Sequence, residues 1–430
     1  MKEPLVLDKA FQDILQQLEE DDGHFFITGK AGTGKSTLLQ LFRKTTRKKV
    51  VVLSPTGISA LHVQGQTIHS FFQLPPKLLH PGELFVNRRL VRMLSVVEAI
   101  IIDEISMVRA DVLDAIDVSL RLHRKINQPF GGVQMFFFGD LFQLPPVVSS
   151  VEEREYFSST YISPYFFDAH VLQKGVDMHM IELTHVYRQR ERHFIRLLDS
   201  IRTMQFEYED LESLNERYLP DVPIEEPYLT LCSTNAAAQQ INKERLDKLD
   251  APVFRYSGEV KGEFNPRLFP TDYTLELKVG GQVMLIRNDP ERRFVNGSLA
   301  VIDRLEDDKV FVILSTDDHR SELLEVPKMT WEINKYSLSA DESNPIKSEV
   351  IGSFIQFPLK LAWAVTIHKS QGKTYDRIYI DLGKGAFEHG QTYVALSRCT
   401  TLEGVFLKRK LTPRDILVDE RVVSFYDMMR

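Results

Sequence analysis

Residues 24–36 read HFFITGKAGTGKS, an apolar run followed at once by a glycine-rich loop that ends in lysine and serine. The apolar run predicts a buried β-strand, and the loop Gly29 to Ser36 has the spacing of a phosphate-binding loop. Its glycines let successive backbone N–H groups face phosphate oxygens at the N-terminus of the next helix. Lys35 would then contact the β- and γ-phosphates, and Ser36 would hold Mg²⁺. The stretch predicts a nucleoside triphosphate site.

A second apolar run, residues 98–102, ends in the two carboxylates Asp103 and Glu104. In an open α/β sheet, the carboxyl ends of parallel strands form the ligand-binding edge. Asp103 is suited to the Mg²⁺ shell there, and Glu104 to activation of the attacking water. Taken alone, an Asp-Glu pair after a strand is more often a helix cap. The upstream phosphate loop favours the catalytic interpretation.

Composition sets the outer limits of the interpretation. The chain has 430 residues, is 43% hydrophobic, carries a formal net charge of −7 and contains two cysteines. Its length predicts at least two domains. The two thiols, Cys232 and Cys399, lie in apolar runs and are expected to be buried and unpaired. The net charge argues against a generally basic nucleic-acid coat, although it permits a local groove.

The chain has no continuous apolar run long enough to cross a bilayer. Residues 1–12 show neither the apolar core of a signal peptide nor the arginine-rich character of a transit peptide. We therefore expect a cytoplasmic protein, or a nuclear one if the source is a eukaryote.

Strand-like and helical patterns alternate along residues 1–170, which predicts a doubly wound parallel sheet with strands at 24–28, 50–54, 99–103 and 134–138. A second α/β lobe is predicted over 171–430, with strands at 178–183, 228–233, 281–286, 377–381 and 404–408. Short alternating strands and acidic turns between 297 and 355 predict a small β-barrel-like insertion. Within residues 64–94, the prolines of Leu74-Pro75-Pro76 and His80-Pro81-Gly82 predict either a projecting loop or an ordinary connector.

Three further polar residues follow predicted elements at places where they would face a nucleotide. Gln143 comes after strand 134–138 and is placed to touch the γ-phosphate. Arg188 follows strand 178–183, and Arg398 lies near the end of a helical pattern at 391–400. Arginines that approach a triphosphate from another domain neutralise transition-state charge and couple hydrolysis to domain closure. As isolated residues, however, such arginines are more often surface salt-bridge partners.

Residues 54–57, 67–72 and 366–372 combine aromatic, hydroxyl and amide side chains, the types that hold single-stranded nucleic acid. A structural role is the alternative: one of Phe71 and Phe72 is expected in the core, and His69 and His368 also suit hydrogen-bonded core positions. The candidate DNA contacts are Pro55, Thr56, Gly57, Thr67, His69, Phe72, Thr366, His368, Lys369 and Ser370.

Together these motifs resemble the superfamily 1B DNA helicases and, within them, the PIF family, whose close relatives are the RecD-like helicases. Eight motifs appear in that family's order across nearly the whole chain, at residues 29–36, 54–60, 67–72, 103–107, 139–146, 187–189, 366–372 and 393–398. The segment 109–132, which ends in Pro-Phe-Gly-Gly, is similar to a signature of the PIF family. It favours PIF over RecD.

The resemblance implies two RecA-like P-loop NTPase lobes in an α/β fold, with ATP in the cleft and a small SH3-like β-barrel insertion in the second lobe. It implies 5′-to-3′ movement on single-stranded DNA and a wedge loop within residues 64–94 at the duplex junction. The substrates it implies are forked or tailed duplexes and G-quadruplex DNA, in genome maintenance that includes DNA repair, recombination and telomere maintenance. We expect a monomer, with a dimer on DNA as the alternative.

The resemblance also assigns individual residues. Gln12 would recognise the adenine edge and Tyr187 would stack near the base, although Phe11 stands where relatives usually have an acidic residue. The implied catalytic residues are Lys35, Glu104, Gln143, Arg188 and Arg398. The implied ATP-binding residues are Gln12, Gly29, Ala31, Gly32, Thr33, Gly34, Lys35, Ser36, Thr37, Asp103, Tyr187 and Gly372, with Ser36 and Asp103 as the Mg²⁺ ligands.

These observations predict an ATP-dependent 5′-to-3′ DNA helicase. A phosphate-loop kinase for a small molecule is one alternative, but a kinase has no need of a second lobe with two facing arginines. A single-strand clamp whose conformation is set by the nucleotide is the other. Glu104 argues against the clamp, because a protein that does not hydrolyse ATP needs no group to activate water.

Overall fold

A computed structural model describes residues 9–75, 78–79, 84–148, 150–221, 228–291, 293–315, 321–339, 341 and 346–430, and every structural statement below concerns these residues. Part of the predicted wedge loop, residues 76–77 and 80–83, lies outside this range. In the described part of the chain, no helix combines the length and apolar character needed to cross a membrane.

The first lobe is built on a six-stranded parallel sheet in the order β3-β2-β4-β5-β1-β6. Its strands are β1 (His24–Gly29), β2 (Val50–Ser54), β3 (Gln66–Thr67), β4 (Ala99–Ile102), β5 (Gln134–Phe138) and β6 (Met178–Leu183). The sequence prediction of a parallel sheet is confirmed. The assignment of residues 178–183 to the second lobe was wrong, because β6 pairs in parallel with β1 and extends the first sheet.

Helices cover both faces of this sheet, and they are α1 (Lys9–Glu20), α2 (Lys35–Thr45), α3 (Gly57–His62), α4 (Ile68–Phe72), α5 (Arg88–Leu94), α6 (Ala110–Arg124) and α7 (Val151–Thr160). Successive residues of β1 point to opposite faces. Phe25 joins the core that holds Phe42 of α2, whereas Phe26 joins the core that holds Leu113 of α6. Packing of α2 against the buried strand β1 therefore holds the start of α2 at the end of the glycine-rich loop.

The chain then continues through α8 (Arg192–Thr203), α9 (Tyr208–Asn215), β7 (Leu229–Cys232) and α10 (Asn235–Asp247). An antiparallel insertion follows, made of β8 (Phe254–Ser257), β9 (Glu259–Gly262), β10 (Thr274–Leu277), β11 (Gln282–Leu285), β12 (Leu299–Glu306), β13 (Lys309–Ser315), β14 (Ser321–Val326), β15 (Met329–Leu338), β16 (Ile346–Gln356) and β17 (Leu359–Leu361). Its sheets have the orders β14-β13-β12-β11-β17, β15-β16-β9 and β10-β8.

The insertion is longer than the predicted 297–355. Strand β9 pairs with β16 and β11 pairs with β12, both antiparallel, so residues well before 297 belong to it. The prediction of 281–286 as a strand of the second lobe's parallel sheet was wrong for the same reason. An apolar run shows that a strand is buried, but its pairing partner depends on contacts distant in sequence.

The second lobe closes with β18 (Ala364–Thr366), α11 (Ile367–Ser370), β19 (Ile378–Asp381), α12 (Gln391–Leu396), β20 (Val405–Leu407) and α13 (Glu420–Met429). Its parallel sheet has the order β18-β7-β19-β20. The last helix, α13, returns to the first lobe, where Phe425 packs against Phe26 with ring centroids 5.9 Å apart. Cys232 and Cys399 are buried and unpaired, as predicted.

We expect His24 to make stability depend on pH. Met135 N donates a hydrogen bond to His24 Nδ1 (3.0 Å), which requires the neutral ring, and burial lowers the pKa of His24 from 6.5 to about 4. Between pH 6.5 and about 4, the unfolded chain therefore binds a proton at His24 that the folded chain excludes. The free energy of unfolding is expected to fall as the pH falls through this range. Denaturant unfolding of wild type and His24→Asn from pH 4 to 7 measures it. Parallel pH profiles for the two proteins would contradict the assignment.

Candidate nucleotide and nucleic-acid site

The glycine-rich loop lies between β1 and α2, as its sequence predicts. Gly32 and Gly34 have φ values of +83° and +88°, which favour glycine. Lys35 opens α2, and its Nζ donates to the carbonyl oxygens of Gly29 (2.6 Å) and Lys30 (2.9 Å). Burial lowers the pKa of Lys35 to about 8, although the charges of Asp140 and Glu104 act in the opposite direction. The loop thus holds one cation against its own carbonyl groups.

Two carboxylates lie beside the loop, at the carboxyl end of β4. Burial, together with the charge of Glu104, raises the pKa of Asp103 to about 7, and burial also raises the pKa of Glu104. The backbone of Glu104 has a φ of +52°, a conformation rare for a side chain of this size. Such outliers concentrate at functional sites. The pair is a half-buried negative charge that a nearby cation would stabilise.

Two arginines approach the loop from across the cleft. Arg188 Nη1 donates to Ser397 O (3.0 Å), and Arg398 donates to Val394 O and Ser397 Oγ. Burial and the neighbouring charge of Arg398 lower the pKa of Arg188 to about 9. A Cβ placed on Gly32 would lie 2.5 Å from Cβ of Arg188. Only glycine at position 32 therefore lets the arginine segment come this close.

A cavity of about 640 Å³ brings these groups together. From the first lobe it is lined by Phe11, Ala31, Gly32, Thr33, Gly34, Lys35, Ser36, Thr37, Asp103, Glu104, Gly139 and Gln143. From the segments across the cleft it is lined by Tyr187, Arg188, Gly372, Thr374 and Arg398. The cavity contains all five predicted catalytic residues. It also contains both predicted Mg²⁺ ligands, Ser36 and Asp103.

A short hydrogen-bond relay connects the two sides of the cavity. Gln371 Nε2 donates to Glu104 Oε2 (3.1 Å) and to Gln143 Oε1 (3.3 Å). Gln143 Nε2 in turn donates to Asp140 Oδ2 (3.3 Å). These contacts place Gln143 between the two sides of the cleft, and Gln371 joins the relay as a residue that the sequence prediction omitted.

Of the two residues predicted to contact the adenine base, only Tyr187 lines the cavity. Phe11 and Tyr187 both line the cavity, with ring centroids 6.3 Å apart, whereas Gln12 is exposed and is not among the lining residues. Tyr187 N donates to Gly32 O (2.9 Å), which holds this segment against the loop. Base stacking near Tyr187 has a suitable position here. Adenine recognition by Gln12 stays a prediction.

Three of the predicted DNA contacts share one local structure. Thr56, Thr67 and Thr366 each lie at the carboxyl end of a parallel strand and cap a short helix. Their hydroxyl groups accept hydrogen bonds from the backbone N–H of Ser59, Ser70 and Lys369. Two of these turns belong to the first lobe and one to the second. The same loop chemistry is therefore present on both lobes.

Two predicted DNA contacts are corrected by the structure. Phe72 is 3% exposed and belongs to the first-lobe core together with Phe71. Ser370 is 0% exposed, and its hydroxyl donates to Ile367 O (2.7 Å). Neither side chain reaches the surface, because packing and a local hydrogen bond use them. Among the remaining candidates, Lys369 is exposed, while His368 lies 3.0 Å from the Glu388 carboxylate.

The structure also brings in residues that sequence reasoning missed. Tyr393 OH accepts a hydrogen bond from Ala31 N of the loop (2.9 Å), and Asp140 lies within hydrogen-bond distance of Tyr393 and Gln143. Both lie inside motifs already recognised, at 139–146 and 393–398. Position within those motifs was the available signal. Their buried contacts are visible only in three dimensions.

Comparison with known proteins supports this arrangement. A family model described as PIF1-like helicase matches residues 7–211. The ATP-dependent DNA helicase Pif1 of Bdellovibrio bacteriovorus is 32% identical, over 93% of this chain and 87% of that protein. Two other curated relatives are longer: the chain spans 62% of the PIF1 of Emericella nidulans and 61% of that of Danio rerio.

Two solved structures extend the comparison. Bacteroides sp Pif1 in complex with ADP-AlF4 has a TM-score of 0.90 and 37% identity, covering 99% of this chain and 97% of that chain. The Bacteroides Pif1 helicase in complex with ADP-AlF3 and ssDNA has a TM-score of 0.70 and 38% identity, with the same coverage. The fold, the residues around the cleft and these matches over most of the chain all agree, and the chain belongs to the PIF1-like helicase family.

Proposed function

We propose that this chain is an ATP-dependent DNA helicase that moves 5′ to 3′ along single-stranded DNA. The observation that carries the proposal is the composition of the 640 Å³ cavity, where the phosphate loop, the Asp103-Glu104 pair and two arginines from across the cleft meet. Hydrolysis at such a site requires both sides, because the arginines neutralise charge that develops on the phosphates. Closure of the cleft is thereby coupled to turnover.

The charges of the cavity suit a magnesium–triphosphate complex. Burial lowers the pKa values of Lys35 and Arg188, so a polyanion beside them would stabilise the charged form of both side chains. Burial raises the pKa values of Asp103 and Glu104, so the carboxylate pair would gain from a divalent cation. Ser36 and Asp103 supply oxygen ligands of the kind that Mg²⁺ prefers. Held by these two residues, Mg²⁺ would neutralise phosphate charge, and Glu104 would orient the attacking water.

Single-stranded DNA is proposed to run across both lobes. The Thr56, Thr67 and Thr366 turns lie at the carboxyl ends of β2, β3 and β18, and Lys369 and His368 follow the last of them. Hydroxyl groups, backbone N–H groups and lysine are the usual contacts to phosphates. The related Bacteroides helicase whose structure contains ssDNA supports the choice of this ligand. We propose Pro55, Thr56, Gly57, Thr67, His69, His368 and Lys369 as the contacts. Thr366 is 4% exposed, and in this proposal it positions Lys369 by capping α11.

Unwinding of duplexes with a single-stranded tail on either the 5′ or the 3′ side tests the proposal. We expect ATP-dependent unwinding of the 5′-tailed duplex and none of the 3′-tailed one, with Glu104→Gln as an inactive control. Unwinding from the 3′ tail alone would refute the polarity. If neither duplex is unwound and DNA does not change the rate of ATP hydrolysis, the result would favour the small-molecule kinase. Tight DNA binding without hydrolysis would favour the clamp.

The same assay can test whether G-quadruplex DNA is also a substrate. A G-quadruplex placed between the 5′ tail and the duplex tests whether this chain opens such a structure, and a mutated tract that cannot form the quadruplex is the matched control. We propose that both substrates are unwound. Titration of protein on a forked duplex, followed by mass measurement of the complexes, distinguishes one bound copy from two.

A further inference from the structure

A buried ion pair joins the two lobes behind the nucleotide cavity. Arg202, in the last turn of α8, donates from Nη2 to Oδ1 of Asp140 (2.9 Å), which follows β5 in the first lobe. Arg202 is 3% exposed and Asp140 1%. The apolar face of α8, with Phe194 and Leu197, belongs to the core of the second lobe. Arg202 thus extends from one lobe into the other.

The first lobe provides a fitted site for this guanidinium. The Phe142 ring lies 4.3 Å from the Arg202 guanidinium carbon, and the Tyr426 ring lies 5.7 Å from it. Burial disfavours both charges, yet the pKa of Asp140 lies below its ordinary value because the charges of Arg202 and Lys35 outweigh burial. The flat, stacked guanidinium with a directed hydrogen bond is geometry that lysine cannot reproduce.

Asp140 passes this contact on to the catalytic residues. Its Oδ2 accepts from Gln143 Nε2 (3.3 Å) and from Tyr393 OH (3.5 Å). Tyr393 OH accepts from Ala31 N of the phosphate loop, and Gln143 shares the Gln371 amide with Glu104. Arg202 itself is not among the residues that line the nucleotide cavity. It contacts Asp140, which in turn bonds to the relay residue Gln143.

We propose that Arg202 is a positioning residue for ATP hydrolysis. By holding Asp140, it fixes the orientation of Gln143 and Tyr393, so that the relay to Glu104 is complete only when α8 is seated against the first lobe. The inference rests on the proposed function, since it assigns a role within ATP hydrolysis. It adds a residue of α8, outside the helicase motifs recognised in the sequence.

A second ion pair on the same helix offers a matched control. Asp199, three residues before Arg202 on α8, pairs with Lys30 of the phosphate loop, and the two side chains are 36% and 30% exposed. This pair also joins α8 to the first lobe. The difference is that the Asp199 side chain bonds to Lys30, whereas the Asp140 partner of Arg202 bonds to Gln143 and Tyr393. If α8 only needs to be tethered to the first lobe, loss of either ion pair should slow hydrolysis. If Arg202 positions the relay residues, only loss of the Arg202 pair should do so.

The test compares Arg202→Met, Arg202→Lys and Asp199→Asn with wild type in steady-state ATP hydrolysis with saturating single-stranded DNA. Binding of a fluorescent ADP analogue is measured in parallel. We expect Arg202→Met to lower kcat about tenfold or more, with nucleotide affinity unchanged. Arg202→Lys should lower kcat by about threefold, because it keeps the charge but loses the planar fork. Asp199→Asn should retain the wild-type kcat.

Each result decides the inference. A wild-type kcat in Arg202→Lys and in folded Arg202→Met would overturn it, and so would a loss confined to KM. An equal fall in Asp199→Asn would also overturn it, by showing that any tether of α8 suffices. If Arg202→Met does not fold, as judged by circular dichroism, the Arg202→Lys comparison decides alone. Absence of hydrolysis in the wild type would refute the proposed function instead.

Discussion

Replacement of Lys35 by alanine is expected to reduce ATP hydrolysis by at least about a thousandfold, because the site loses a cation directed at the transferred phosphate. Lys35 lies at the start of α2, where its Nζ donates to the carbonyl oxygens of Gly29 and Lys30. The substitution removes both hydrogen bonds as well as the charge. Hydrolysis with and without single-stranded DNA, at saturating ATP, measures the effect.

Lys44→Ala is the matched control for this variant. Lys44 lies in the last turn of the same helix and is exposed. It removes the same side chain without touching the cavity, so wild-type turnover is expected. Normal hydrolysis by a folded Lys35→Ala protein would show that the phosphate loop has been assigned wrongly. Equal losses in both variants would show that the effect comes from the helix rather than from the site.

Replacement of Glu104 by glutamine is expected to lower the rate of hydrolysis by about a hundredfold to ten-thousandfold while nucleotide binding is retained. Glutamine keeps the shape and leaves an amide oxygen to accept from Gln371, but it cannot take a proton from water. Burial and the charge of Glu104 raise the pKa of Asp103 to about 7, so removal of that charge lowers the repulsion within the pair. Folding should therefore be preserved.

The control for Glu104→Gln lies at the other end of the same strand. Glu98 precedes β4, is exposed and accepts from Lys49 N (2.7 Å). Glu98→Gln makes the identical chemical change about one strand length from the cavity, and we expect normal hydrolysis. Single-turnover hydrolysis together with nucleotide binding separates chemistry from affinity. A Glu104→Gln protein with an unchanged rate would exclude Glu104 as the residue that activates water.

The sequence identified the groups that are contiguous along the chain. The strand, loop and lysine of residues 24–36 form one local unit, since the glycines that permit the turn lie beside the residues that use it. The same holds for Asp103 and Glu104 behind β4 and for the threonine-capped turns. For these features, local chemistry and tertiary position coincide.

Sequence pattern was insufficient where a residue's environment depends on distant partners. An apolar run at 178–183 predicts a strand, but only its pairing with β1 assigns it to the first lobe. An apolar run at 281–286 likewise predicts a strand, and its antiparallel pairing with β12 places it in the insertion. Phe72 and Ser370 are of residue types that often contact DNA, but packing and a local hydrogen bond of Ser370 keep both from the surface.

The sequence by itself determined the fold class, the family and the chemistry of the nucleotide site, because each depends on residue types at short, regular spacing. The tertiary structure alone decided which strands share a sheet, where the insertion begins and how Arg202 meets Asp140 across 62 residues of chain. Such contacts are settled by the burial of charge and apolar surface among distant segments. No periodicity within either segment encodes them.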